Sequence, residues 1–179
     1  LVGSEMCIRD RPWVEHALSE DSEELYSPRD PRDVVAQNIL NNLKYAEEHI
    51  KVDGDGNNTI NRAVVQSLIS RFCLFEGTWR KYHALQNATT YLEECTRASK
   101  EVMNKYTTLH PDYEELFNSE SLDGINGIIL YKEYATSQLC HGLTRMVRTG
   151  ESQIEATKDA VDSYLCSDGH PIKNSTTYG

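Results

Sequence analysis

The stretch that decides the fold is residues 30–50, which read DPRDVVAQNILNNLKYAEEHI. Asp30 can accept hydrogen bonds from free backbone N–H groups, and Pro31 suits the first helical position, so a helix should begin here. Apolar side chains then recur at spacings of three and four residues, which is the period of one helix face. They are Val34, Val35, Ile39, Leu40, Leu43, Ala46 and Ile50. The pattern predicts an amphipathic helix that ends before the Asp-Gly repeat at residues 53–56.

The same periodicity predicts two more long helices and a short one. Thr59 can cap a second helix that runs to about His83, Asn87 opens a third, and residues 111–117 suggest a fourth. Because the connections are short, successive helices should pack antiparallel as hairpins, and their wide apolar faces indicate stacked repeats. The apolar stripes consist of Ile60, Val64, Leu68, Phe72, Phe75 and Trp79 in the second helix, and Tyr91, Leu92, Cys95, Ala98, Val102 and Met103 in the third.

The chain changes character after residue 119. Residues 123–127 (DGING) are turn formers. Residues 128–131 (IILY) are β-prone but short, so the sequence does not decide whether they form a strand. A last amphipathic stretch covers residues 154–165. The sequence therefore predicts a mainly α fold, with helical hairpins over about residues 30–118 and a loop-rich segment over residues 119–179.

The first eleven residues, LVGSEMCIRDR, look foreign to the rest of the chain. They resemble a translated sequencing-adapter remnant, and they show no periodicity that ties them to the segment after residue 11. We expect residues 12–179 to be a partial domain that is truncated at both ends, so that a signal peptide or a lipidation site could precede it.

Composition narrows the class of protein. Apolar residues make up 39% and charged residues 26% of the chain, which fits a globular protein. The formal net charge of -10 makes nucleic acid an improbable partner, because a phosphate backbone binds clustered Lys and Arg. No apolar run approaches the roughly 20 residues that a membrane-spanning helix needs.

The cysteines show no metal-binding or redox spacing. No two of them form a CxxC pair, and Cys73 and Cys95 fall on apolar helix faces, where a free thiol acts as a small hydrophobe. A disulfide among Cys73, Cys95, Cys140 and Cys166 stays open.

No metal or cofactor site is predicted. Residues 53–57 (DGDGN) resemble the opening of a calcium loop, but Asn58 stands where glycine is needed and Val64 where a bidentate glutamate is needed. An ordinary acidic turn is the preferred interpretation. The histidines form neither HxH nor HExxH.

No catalytic constellation is predicted either. The adjacent carboxylates at residues 93–94 and 114–115 lie on helix faces where solvation is the default role. There is no nucleophile elbow and no phosphate-binding glycine loop in the sequence. The sequence therefore favours a protein that is not an enzyme.

Aromatic residues supply the one candidate ligand site. The chain has ten tyrosines and two tryptophans, and flat rings with polar tips suit the faces and hydroxyls of sugars. Trp79, Tyr82 and His83 lie within one helical turn and form the candidate cluster. Because Trp79 continues the apolar stripe, packing is preferred for this ring over ligand contact.

Four segments resemble the SusD/RagB family of outer-membrane nutrient-uptake lipoproteins of Bacteroidetes. Departures from the family pattern occur at Asn42, where an acid is usual, and at residues 126–127, which read NG where NE is usual. The similar segments, in order, are residues 27–35 (SPRDPRDVV) with 42–46 (NLKYA), residues 60–62 with 70–83 (SRFCLFEGTWRKYH), residues 113–117 (YEELF) with 128–131 (IILY), and residues 161–172 (VDSYLCSDGHPI).

The resemblance implies a tetratricopeptide-like helical scaffold at the cell surface. Members of the family are anchored to the outer membrane by an N-terminal lipid, have no enzymatic role, and deliver oligosaccharides to a SusC-like TonB-dependent transporter. Their sugar-binding residues are not a fixed motif, so none is transferred to this chain. Two other hypotheses remain: a helical-repeat scaffold for protein–protein contacts without sugar binding, and, ranked below both, a carbohydrate-active enzyme.

Overall fold

The structure is a computed structural model that describes residues 12–135, 137–147 and 154–177. It is mainly helical, as the sequence predicts. The prediction about residues 1–11 lies outside the described residues. The elements are a 3-10 helix (Glu23–Tyr26), α1 (Arg32–His49), α2 (Arg62–Tyr82), α3 (Ala88–Lys105), α4 (Tyr113–Asn118), α5 (Leu143–Val147), α6 (Lys158–Asp162) and a 3-10 helix (Ile172–Asn174).

The chain divides into two compact units, of which the first ends at Tyr131 and the second begins at Lys132. In the first unit, α2 packs on both α1 and α3, most extensively on α3. Their contact forms one hydrophobic core. Burying a large aliphatic side chain there contributes about 1.5–3 kcal/mol. The core residues are Ala36, Leu40, Val65, Ile69, Cys73, Tyr91 and Ala98.

The buried face of α2 is rotated by one residue position from the predicted stripe, so that part of the prediction was wrong. Ile60 is 61% exposed and precedes the helix. The side chains predicted to form the stripe from residue 64 to Trp79 are only half-buried. The fully buried line has the same spacing, so periodicity alone could not choose between them. It consists of Val65, Ile69, Cys73, Glu76 and Arg80.

Two of the predicted helix caps differ from the observed ones. The Asp30 carboxylate accepts from the Trp13 backbone N–H at 2.6 Å instead of capping α1, which begins at Arg32. Thr59 also stays outside a helix, because its hydroxyl donates to the Gly56 carbonyl at 2.8 Å. The cap of α2 is Asn61, whose side chain accepts from the Val64 N–H at 3.2 Å.

Residues 128–131, for which the sequence did not decide between strand and loop, do not form a strand. A side-chain amide supplies the pairing instead: Asn58 Oδ1 accepts from Tyr131 N at 2.9 Å, and Asn58 Nδ2 donates to Tyr131 O at 3.0 Å. Since one residue provides both bonds, the pairing cannot extend into a ladder. Residues 119–131, within the predicted loop-rich segment, belong to the first unit.

The second unit has little regular structure among its described residues. The amphipathic stretch at residues 154–165 forms only the short helix α6, which Thr157 caps by accepting from the Ala160 N–H at 3.1 Å. The pairing there is limited to isolated antiparallel bridges, Ala135 with Leu139 and Leu165 with Pro171. In the parts of the chain that the structure describes, no helix combines the length and the apolar character that crossing a bilayer requires.

Candidate functional site

The predicted aromatic cluster lies at the C-terminal end of α2. The rings of Trp79 and His83 stack with centroids 3.8 Å apart and planes 19° from parallel. His83 Nδ1 lies 2.8 Å from the Trp79 carbonyl oxygen, which orients the imidazole. Tyr82 is 83% exposed. The helix thus brings Trp79 and His83 together and leaves the Tyr82 ring open to solvent.

Protein contacts also hold the Trp79 ring from other sides. The guanidinium carbon of Arg32 lies 4.9 Å from the ring centroid, within the range of a cation–π contact. The Phe75 ring lies 6.4 Å away and nearly parallel. The half-buried Trp79 therefore has a packing role, and Tyr82 is the member of the cluster with the most surface to offer a ligand.

Arg32 connects this cluster to a buried charge network that sequence reasoning missed. Glu76 is fully buried, and its carboxylate accepts from Arg32 Nε at 3.1 Å and from Arg32 Nη2 at 2.5 Å. Arg80, 1% exposed, donates from Nε to the same carboxylate at 2.8 Å. The network holds α1 against α2 and fixes the position of Arg32 beside Trp79.

The Arg80 guanidinium has partners for its other nitrogens. Its Nη2 donates to Asp33 Oδ1 at 2.6 Å and its Nη1 to the Gln86 carbonyl at 3.0 Å. Its carbon lies 4.9 Å from the Tyr91 ring centroid. Burial lowers the pKa of Arg80, but the Asp33 hydrogen bond and the charges of Glu76 and Asp33 raise the pKa above its ordinary value. These charges satisfy one another, which suits a structural role better than proton transfer.

A second charge network joins α1 to α3. Arg97 Nη2 donates to Glu47 Oε2 and to Glu94 Oε1, both at 2.7 Å. Burial raises the pKa of Glu47, but hydrogen bonds from Arg97 and Gln66 outweigh it, so the pKa lies below its usual value. The pKa of Glu94 is also lowered, since the Arg97 hydrogen bond and charge outweigh burial.

The carboxylates of the acidic loop between α1 and α2 do not converge on one point. Asp53 pairs with Lys105 Nζ at 2.7 Å, and Asp55 pairs with Lys51. Among the described residues, no three His, Cys, Asp or Glu side chains cluster closely enough to hold a metal ion.

The sequence did not decide whether Cys73, Cys95, Cys140 and Cys166 form a disulfide. In the structure all four are free thiols. Cys73 lies in the core, where burial raises the pKa of its thiol to about 12. Cys140 is exposed.

Comparisons of the chain with protein-family models, with curated proteins and with solved structures found no significant match. The chemistry of the aromatic cluster must therefore be judged from its own geometry. The exposed Tyr82 ring offers a flat face and a hydroxyl that can contact a ligand, whereas the Trp79 and His83 rings stack on each other.

Proposed function

We propose that this chain is part of a surface glycan-binding component of a SusC/SusD-type outer-membrane uptake complex. It captures oligosaccharides for a TonB-dependent transporter and does not itself cleave them. The ordered resemblance of four segments to the SusD/RagB family suggests the proposal. The observation that carries it is the aromatic cluster of Trp79, Tyr82 and His83 at the C-terminal end of α2.

The setting of the cluster supports binding because its Trp79 ring is held in place before a ligand arrives. Arg32 holds the Trp79 ring and is itself anchored to the buried Glu76 by two hydrogen bonds. A preorganised surface loses less conformational entropy on binding than a mobile one, so more of the contact energy appears as affinity. In this arrangement Trp79 and His83 form a support, and Tyr82 contacts the sugar.

Replacing the exposed ring tests the proposal. Tyr82→Ala is expected to weaken binding of its oligosaccharide at least tenfold, which corresponds to about 1.4 kcal/mol. Isothermal titration calorimetry against maltotriose, cellotriose, mannotriose and xylotriose measures it. Tyr113→Ala is the matched control, since Tyr113 is 76% exposed on another helix. Absence of binding by the unaltered chain to any neutral oligosaccharide would refute the function.

The partner and location in the proposal need a separate measurement. Tagged full-length protein, expressed in its own host, is expected to co-purify with a large TonB-dependent barrel from the outer-membrane fraction. Recovery of the protein from the cytosolic fraction, without a barrel, would contradict this part of the proposal.

A protein–protein scaffold is the second candidate, and exposed apolar side chains favour it. Met103 is 67%, Tyr45 64% and Leu74 52% exposed, although all three lie on the packed helices. This candidate requires a partner that covers these side chains together. Partner binding that Leu74→Asp abolishes and that no oligosaccharide affects would favour this candidate over sugar capture.

A further inference from the structure

The first unit contains a cavity of about 220 Å³ that the aromatic cluster does not share. Two loops line it, with one residue from just beyond the end of α3. The lining consists of Asn57 and Asn58 from the loop between α1 and α2, Tyr106 after α3, and residues 122–129 and Tyr131 from the segment after α4.

Long-range hydrogen bonds build this cavity. The Asn58 amide bonds both the N–H and the carbonyl of Tyr131. Asn57 Nδ2 donates to Asp123 Oδ1 at 2.5 Å. Gly127 adopts a φ of +86° and lies so close to Leu109 that a Cβ would be 3.1 Å from Leu109 Cδ2. The two loops are thus pinned in one arrangement that does not need a ligand to assemble it.

The charge of the lining selects against ionic ligands. Among the described residues that line the cavity, Asp123 is the one that carries a charge. Phosphate, sulfate and carboxylate ligands need Arg, Lys or clustered backbone N–H donors, and a negative side chain repels them. A hard cation would need several oxygen ligands with more negative charge than one carboxylate provides. A neutral ligand is therefore the best fit.

The remaining groups match a molecule with hydroxyls on its edge and an apolar face. Asp123 Oδ2, Asn57 Oδ1 and the Asn126 amide belong to exposed side chains and have no protein hydrogen-bond partner within the described part of the chain. Amide and carboxylate groups can bond adjacent hydroxyls, since an amide both donates and accepts. The apolar and aromatic residues of the lining include Leu122, Ile125, Ile128, Ile129 and Tyr106.

We propose that this cavity binds a single neutral pyranose ring, as the end or a branch of a larger glycan. The inference rests on the proposed glycan-binding function and assigns it a second subsite. Size supports one ring, since the cavity is smaller than the roughly 300–1,000 Å³ of sites for drug-sized ligands. Asp123 and Asn126 bond the ring hydroxyls, and the isoleucines with Tyr106 cover its apolar face.

The test titrates the whole 179-residue chain with methyl glycosides of glucose, mannose, galactose and xylose at millimolar concentration. Binding is followed by saturation-transfer NMR and calorimetry, with glucuronic acid as the charged comparator. At least one neutral glycoside is expected to bind, and glucuronic acid at least tenfold more weakly. Circular dichroism checks the fold of every variant.

Two variants probe the subsite against a matched control. Asn126→Ala is expected to weaken binding of the methyl glycoside at least tenfold, whereas Asn118→Ala, an exposed position at the end of α4, leaves it unchanged. Asp123→Asn keeps an oxygen that can accept from Asn57 but removes the charge. It is expected to weaken binding about threefold to tenfold, because hydrogen bonds to a charged acceptor are stronger.

The outcomes separate this inference from the function it rests on. Loss of glycoside binding in Asn126→Ala, with Tyr82→Ala unchanged, supports the cavity. Glycoside binding that is insensitive to Asn126→Ala and Asp123→Asn overturns the cavity and leaves the proposed function standing. The cavity is also overturned, and the proposed function left standing, if the chain binds oligosaccharides through Tyr82 but binds no single glycoside. Failure of every neutral sugar to bind overturns both.

Discussion

The helices α1 to α3 and the second unit obtain their order in different ways. In the helices, Ala36, Ile69 and Glu76 have no exposed surface, and ion pairs link α1 to both of its neighbours. Among the described side chains after Tyr131, none is buried. Contacts there are local, such as the Asp168 carboxylate that accepts from the N–H groups of His170 and Thr176. Side chains that are buried together unfold cooperatively. A segment held by local polar contacts is ordered but needs less free energy to unfold locally.

The largest effect is expected from Glu76→Gln in the first unit. This change removes the charge that both Arg32 and Arg80 contact. Breaking a buried ion pair on one side is expected to lower the free energy of unfolding by about 3–5 kcal/mol. Urea denaturation measures the loss, with the exposed Glu93→Gln as control. A loss below about 1 kcal/mol would show that the network is not a stabilising element.

The next largest loss of stability is expected when an isoleucine of the first unit is replaced, with an isoleucine of the second unit for comparison. Ile69 is fully buried, so Ile69→Ala is expected to cost about 2–5 kcal/mol through lost burial and a cavity. Ile154 is 52% exposed, and Ile154→Ala should stay within about 0.5 kcal/mol. Thermal and urea unfolding of the two variants gives both values. Equal losses would mean that the second unit has a core of its own.

Acid should weaken the first unit through Glu47 and Glu94. The folded pKa of each lies below the usual 4.5, so their contribution is fully present above about pH 4.5. It is lost as the pH falls through the depressed folded values, because protonation then breaks the contacts with Arg97. Arg97→Met should flatten this part of the stability profile, measured by urea unfolding between pH 3 and pH 7. An unchanged slope in the variant would argue against the assignment.

The smallest effect is a difference in thiol reactivity without a change in stability. Burial raises the pKa of the Cys73 thiol to about 12 and hides it from reagents, whereas Cys140 is exposed. Iodoacetamide at pH 8 is expected to label Cys140 well before Cys73, as measured by peptide mass spectrometry. Comparable rates at the two sites would contradict the packing of the core.

The accuracy of the sequence predictions depends on the range of the interactions involved. The positions of α1 to α4 were predictable because helical periodicity acts within a few residues, although the caps predicted for α1 and α2 were wrong. The buried face of α2 was not predictable, because two lines of side chains along the helix have the same spacing. The aromatic cluster was found because one helical turn carries all three residues. The Glu76 network was missed because a charged residue is expected on the surface.

The amino-acid sequence by itself determined that this chain is mainly helical, where its long helices lie, and that Trp79, Tyr82 and His83 share one helix end. Tertiary structure alone decided which face of α2 is buried, and that Asn58 pairs with Tyr131 in place of a strand. It also decided that residues 57–58, 122–129 and Tyr131 line one cavity. Helical order depends on neighbours along the chain, whereas burial and enclosure depend on partners that only the folded chain brings together.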